Sequence, residues 1–193
     1  MSRAGGYALS YDALRPETVG SGKSARVALF TQRWPVSVER KLFPGVTQDA
    51  FLVAELKNPS PEPLPGGRAN LFVGADPAGV AEVQLVSPQE SFTLPLGIDR
   101  AIKPIRNVSI VEAEKGLIGT DDVSQYVVTI EVANPYAAPI QARILDQWPL
   151  TDDKHVDVKL IKTEPWAIQD KLKGGLEWRV PVPANGKAQV SFT

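Results

Sequence analysis

The chain has 193 residues, 43% of them hydrophobic, and no cysteine, so disulfides, thiolate nucleophiles and thiolate metal sites are excluded together. Its 21 basic and 22 acidic residues nearly cancel, which withholds the basic excess that nucleic-acid binding needs to release phosphate counterions. No apolar run reaches the roughly 18 residues of a membrane-spanning helix, and the start Met1–Gly6 lacks a signal-peptide pattern.

The chain carries 17 prolines, about 9% against a usual 5% or so. They are spread along its length, where they break long helices and suit strand ends and corners. The expected fold is therefore all-β, as two β-sandwich-like halves.

In the first half, Arg26–Phe30, Pro35–Glu39, Ala69–Val73, Ala81–Val86 and Ser91–Leu96 read as strands between Pro/Gly loops such as Pro59–Gly67. Asp49–Asn58 has good helix formers, but its continuous apolar run Phe51–Ala54 and its strand neighbours favour a strand. A boundary is expected near Pro104–Asn107, dividing the chain into 1–106 and 107–193. No internal repeat is evident.

The second half shows period-2 alternation more clearly. Tyr126, Val128, Ile130 and Val132 share one face of a strand; so do Val156, Val158 and Leu160 within His155–Ile161. Leu176, Trp178, Val180 and Val182 alternate in a third, and Ala188, Val190 and Phe192 in the last. Asn185-Gly186, between two such runs, predicts a hairpin. With Val108–Ala113 and Ile140–Asp146 there are about six or seven strands in roughly 86 residues, the density of an immunoglobulin-like sandwich.

Few residues carry chemistry. Gly20-Ser21-Gly22-Lys23-Ser24 lacks the first glycine of a phosphate loop, whose place holds Glu17, and a strand rather than a helix is expected after it. His155 is the only histidine, and no Gly-x-Ser-x-Gly elbow accompanies it, so it reads as a surface residue. Asp121-Asp122 and Asp152-Asp153, with Asp146 and Asp157, match no calcium loop and read as solvated turn residues. Asn107-Val108-Ser109 is a glycosylation sequon with nothing else to support a secreted eukaryotic context. Of four tryptophans, Trp178 is in phase with core positions, whereas Trp148 and Trp166 sit at strand ends or in loops and are the candidate contacts for a ligand or partner. No catalytic, cofactor or metal residues are assigned.

A series of short stretches identifies a resemblance. They are Phe43-Pro44, Asp49–Ala54, Asn58-Pro59-Ser60, Pro63–Gly66, Leu71–Gly74, Phe92–Gly97 with Asp99, Tyr126–Asn134, Asp146–Pro149 and Gly175–Trp178. In this order they resemble the C-terminal domain of unknown function of mucoidy inhibitor A-like bacterial proteins, over about Ala25 to Phe192. The resemblance implies an all-β domain, normally preceded by a smaller β domain and a long coiled coil, so this chain is expected to be a C-terminal fragment. Trp148-Pro149 stands where that family has leucine-proline after Asp-Gln. The family supplies no catalytic residues to carry over, and its name points to the cell envelope or periplasm, with the cytoplasm left open. The leading expectation is a non-catalytic module that binds protein, its own copy included. A carbohydrate-binding envelope module using Trp148 and Trp166, and a hydrolase using Asp/Glu carboxylates, are the alternatives.

Overall fold

The computed structural model describes residues 2–5, 8–112 and 124–193. Their elements are all strands: β1 (Ser2–Gly5), β2 (Ala8–Tyr11), β3 (Val36–Leu42), β4 (Ala50–Lys57), β5 (Gly67–Val73), β6 (Asp76–Val83) and β7 (Ser91–Ile98). They continue with β8 (Pro104–Glu112), β9 (Ser124–Ala133), β10 (Ile140–Gln147), β11 (Thr163–Glu164), β12 (Ile168–Asp170), β13 (Gly175–Val182) and β14 (Lys187–Phe192). The all-β expectation holds, and the ambiguous Asp49–Asn58 segment is the strand β4.

Two main sheets carry the fold. One has six strands in the order β12-β13-β10-β3-β4-β7; the other has four, β11-β14-β9-β8. The hairpins β1–β2 and β5–β6 stand as separate two-stranded sheets. The main core lies between the large sheets, where Val128, Ile130 and Val132 of β9 and Val190 and Phe192 of β14 meet Ala142 and Ile144 of β10 and Leu176 and Trp178 of β13. Alternation puts these residues inward and Thr129, Glu131, Glu177 and Arg179 outward, which is how one-sided burial specifies register.

The boundary expected between residues 106 and 107 falls inside β8. Hydrogen bonding also crosses it: β10 pairs in parallel with β3, Ala142–Ile144 against Arg40–Leu42. Leu42, Ala50 and Ile102 from the first half belong to the same core as the second half. Cutting the chain there would divide one sheet and one core.

Three local expectations are corrected. Asn185 has φ 51° and the Gly186 N–H donates to the Pro183 carbonyl, so the turn forms. It makes no hairpin, however, because β13 and β14 belong to different sheets and the turn carries the chain across the sandwich. His155–Ile161 begins in a turn and lies outside any assigned strand; Val158 and Leu160 still pack against the core. Arg26–Phe30 is likewise unpaired as a strand, tethered by the Leu14 N–H to the Ala28 carbonyl.

The two halves repeat one another in topology, which the sequence did not make visible. In each, a first strand pairs with a second (β3–β4, β8–β9), and the second with a third (β4–β7, β9–β14), while an antiparallel pair lies between second and third: the hairpin β5–β6 in one, and β10–β13, with β11 and β12 inserted in its long connection, in the other. The loop after the second strand is held by the same asparagine contacts. Asn58 follows β4 and donates from Nδ2 to the carbonyls of Glu62, Val86 and Ser87. Asn134 follows β9 and donates to the carbonyls of Ala138, Val182 and Pro183. Each Oδ1 accepts the N–H two residues on, from Ser60 and Tyr136. Each backbone N–H donates to the residue after a left-handed one, Glu90 after Gln89 and Gly186 after Asn185.

Candidate functional site

The two candidate tryptophans have opposite fates. Trp148 is only 9% exposed and joins the main core. Its position is fixed from the backbone: its N–H donates to the Gly174 carbonyl at 3.0 Å. Gly174 has φ 66°, and a Cβ there would lie 2.5 Å from the Trp148 carbonyl oxygen, so the corner requires glycine. Trp166, after the cis Glu164-Pro165 bond, is 74% exposed. The two rings therefore do not form a shared stacking platform: one is packed inside and the other is exposed.

The remaining sequence candidates sit as follows. Gly20–Ser24 is an exposed turn closed by the Lys23 N–H to the Gly20 carbonyl, with strand-free chain after it. His155 is exposed, and its backbone N–H donates to Asp153 Oδ1 while the Asp153 N–H donates to Thr151 Oγ1. Asp152 and Asp153 are exposed turn residues as expected; Asp121 and Asp122 lie outside the described residues. Asn107 of the sequon is on the exposed side of β8. Among the described residues no group of three His, Cys, Asp or Glu side chains is placed to hold a metal ion, and no helix is long and apolar enough to cross a membrane.

Asp146 is a correction. Rather than being solvated, its side chain is 3% exposed and receives a hydrogen bond from Arg106 Nε at 2.8 Å. Arg106 is on β8 and Asp146 on β10, so this pair ties one main sheet to the other. A second tie joins β3 to the linkers: Asp99 accepts from Arg40 Nε at 3.1 Å and from the Tyr136 hydroxyl, with the Arg40 guanidinium over the Tyr136 ring. The hydrogen bond to Asp99 raises the Tyr136 pKa above its ordinary value, because losing that proton would set two anions side by side.

The outer face of the six-stranded sheet carries a charge lattice that sequence reading did not single out. Arg143 on β10 bonds Glu39 of β3, Glu55 of β4 and Glu177 of β13 at 3.3, 3.2 and 2.9 Å. Arg179 on β13 reaches the same three glutamates. The signal was present as outward positions of four adjacent strands, but their order in the sheet is not local information. Burial would raise the pKa of Glu177, yet hydrogen bonds from Arg143 and Arg179 outweigh it and hold the carboxyl below its ordinary value of 4.5. Because the folded value is the lower one, its stabilisation is present above about pH 4.5 and is lost as pH falls through the folded pKa. Replacing Glu177→Gln should remove about 0.5–1 kcal/mol at pH 7 and flatten the acid limb. Thermal unfolding between pH 3 and 7 reads this, and parallel wild-type and variant curves would contradict it.

The other conspicuous surface is at the sheet edges. An unpaired edge strand invites another chain, and proteins guard against this with short strands, proline, bulges or charge. Three edges of the main sheets are guarded. β11 has two residues and β12 three; β7 contains Pro95 and a bulge opposite Leu52/Val53. β8 is different. It runs nine residues with its only proline at the start, and among the described residues it pairs with β9 alone. Its apolar side chains are exposed on both faces: Ile105 and Val111 on one, Val108 and Ile110 on the other, each 49–61% accessible.

Beside the Val108–Ile110 face lies a groove of about 460 Å³ between the β8–β9 hairpin and the 147–161 segment. Val108, Tyr126, Trp148, Val156, Leu160 and Phe192 give it an apolar lining. Trp148 thus enters this surface as the floor of a groove.

Comparison with known families supplies the remaining fact. The model of a family described as a domain of unknown function (DUF4139) matches residues 3–193. The chain belongs to this family. No curated protein matches it, and no solved structure does. The DUF4139 match spans both main sheets and both hairpin insertions, so the crossing at β3–β10 lies within the family's own domain.

Proposed function

We propose that this DUF4139 chain is a non-catalytic protein-interaction module, with the open β8 edge and the adjoining groove as its contact surface. The observation that supports it most is the contrast among edges: three are blunted, and the longest is unpaired among the described residues and apolar on both sides. Extended-strand addition would satisfy the unpaired N–H and C=O groups of β8, and the groove would give specificity through side chains. The resemblance to mucoidy inhibitor A-like proteins supports a bacterial envelope or periplasmic setting for such a module, with the cytoplasm left open. A carbohydrate platform built on Trp148 and Trp166 is less well supported, since the Trp148 ring is packed in the core. A carboxylate hydrolase is less well supported too, since Glu39, Glu55 and Glu177 each accept hydrogen bonds from guanidinium groups.

The test is a double variant, Val108→Lys with Ile110→Lys, which puts two charges on the bare edge. Both side chains are more than half exposed, so stability should change by less than about 0.5 kcal/mol each. Wild-type and variant chains are compared for self-association across concentration and for co-purification from extracts of the source cells. The expected result is association by wild type and at least about a tenfold loss in the variant. Equal behaviour of the two folded proteins in both assays would overturn the reading.

A further inference from the structure

The repeated topology says what the β8 edge fits. In the second half, the inserted pair β10–β13 does not stay with its own three strands; it crosses over, and β10 adds in parallel to β3, the first strand of the other half. The equivalents of these two strands are β5 and β8. Among the described residues both are open: β5 pairs only with β6, and β8 only with β9. One chain therefore contains one filled pair-to-first-strand junction, one unused hairpin and one unused first strand.

The equivalence extends to register. Leu64 bridges Val86 as Ile140 pairs with Val182, six residues after Asn58 and Asn134 respectively. Val36 pairs with Leu56 as Pro104 pairs with Val132. By these anchors the filled pairs Ala142–Arg40 and Ile144–Leu42 correspond to Gly66–Val108 and Arg68–Ile110.

The state of the β5–β6 hairpin agrees. Across its two strands Leu71 alone is buried, and Phe72, Val73 and Val80 are 47–62% exposed. An isolated two-stranded hairpin is marginal in water, and it gains when another strand or sheet covers it.

Resting on the reading of β8 as a contact surface, we propose that its partner is a second copy of this chain, whose β5 edge adds in parallel to β8 and repeats the β10–β3 junction between molecules. The contact is heterologous, because two different strands, β5 of one copy and β8 of the next, meet in it; it therefore propagates into open chains or closes into rings. Arg68 stands where the filled junction has the buried Ile144, so the intermolecular junction is more polar and reversible.

The absence of cysteine gives a clean test. Two single variants, Arg68→Cys and Ile110→Cys, both at exposed positions, are prepared separately and oxidised mildly, alone and mixed. The proposal expects a mixed 68–110 disulfide at least about tenfold above either self-linked product, and wild-type mass in light scattering that rises with concentration. Efficient self-linking of Ile110→Cys with no gain on mixing would mean β8–β8 pairing; it overturns the proposal and leaves the β8 reading standing. A wild-type chain that stays monomeric with no mixed disulfide also overturns it. In that case, a host partner captured by wild type and lost in Val108→Lys/Ile110→Lys still preserves the β8 reading, and no loss in that variant removes both.

Discussion

Replacing Trp178→Ala should cost about 3–5 kcal/mol and lower the urea midpoint for the whole chain in one transition. Trp178 is 1% exposed on β13, and its ring stacks on Phe192 of β14 across the sandwich, with centroids 6.2 Å apart. Its Nε1–H donates to the Pro165 carbonyl at 2.9 Å, so removal also leaves a partly buried acceptor unpaired. The cavity opens in the core that Leu42 and Ala50 share with the second half, so both halves should lose stability together. Trp178→Phe keeps most of the apolar volume and should cost less than half as much. Trp166→Ala is the control: with the ring 74% exposed, its midpoint should stay within about 0.5 kcal/mol of wild type. Two separated unfolding transitions, or a loss below about 1 kcal/mol for Trp178→Ala, would mean that the core is not shared as described.

What could be read along the chain was whatever burial writes locally. Alternation located β9, β13 and β14 and put Trp178 inside, because one-sided burial imposes period 2 wherever a strand faces a core. The same rule also marked His155–Ile161, whose Val158 and Leu160 do face the core although the backbone joins no ladder. Alternation reports which side is covered and does not report whether a neighbouring strand exists.

Partner choice was not legible for a related reason. Asn185-Gly186 specifies a tight left-handed turn, and the turn is there; which sheet receives the next strand depends on distant strands. The β3–β10 junction joins positions about 100 residues apart and leaves no local mark. Hence a boundary placed at a change of pattern near residue 106 fell inside β8. Trp148 and Trp166 looked alike as loop aromatics, and only the Gly174 corner separates them. The repeat escaped because its halves share little beyond Asn-Pro; the two asparagine side chains and the strand pairing order, which joins distant segments, carry the equivalence.

That asparagine carries the second large effect. Asn134→Ala should cost about 2–4 kcal/mol, and Asn58→Ala a similar amount, with the former opening the main core and the latter the loop joining β4, β5 and β7. Both residues are nearly inaccessible, 2% and 0% exposed. Each Nδ2 faces three carbonyl oxygens between 2.9 and 3.3 Å, and each Oδ1 faces a backbone N–H at 3.0 Å. Truncation removes donor and acceptor together and leaves buried backbone groups unpaired, at about 1–3 kcal/mol for a buried group without a partner. The amide orientation is fixed by this network, since the opposite flip would set an oxygen against carbonyls. Asn134→Asp separates this account from simple loss of volume. It keeps the shape but turns an acceptor-only carboxylate toward three carbonyls, so at pH 7 it should be at least as damaging as alanine. Burial among acceptors raises the carboxyl's folded pKa above its unfolded value, so the variant's deficit is smallest at low pH and grows as pH rises. Urea unfolding of Asn134→Asp and Asn134→Ala at pH 4.5 and 7 measures this. A deficit in the aspartate variant that shrinks toward neutral pH would mean that Nδ2 is not the donor holding the loop.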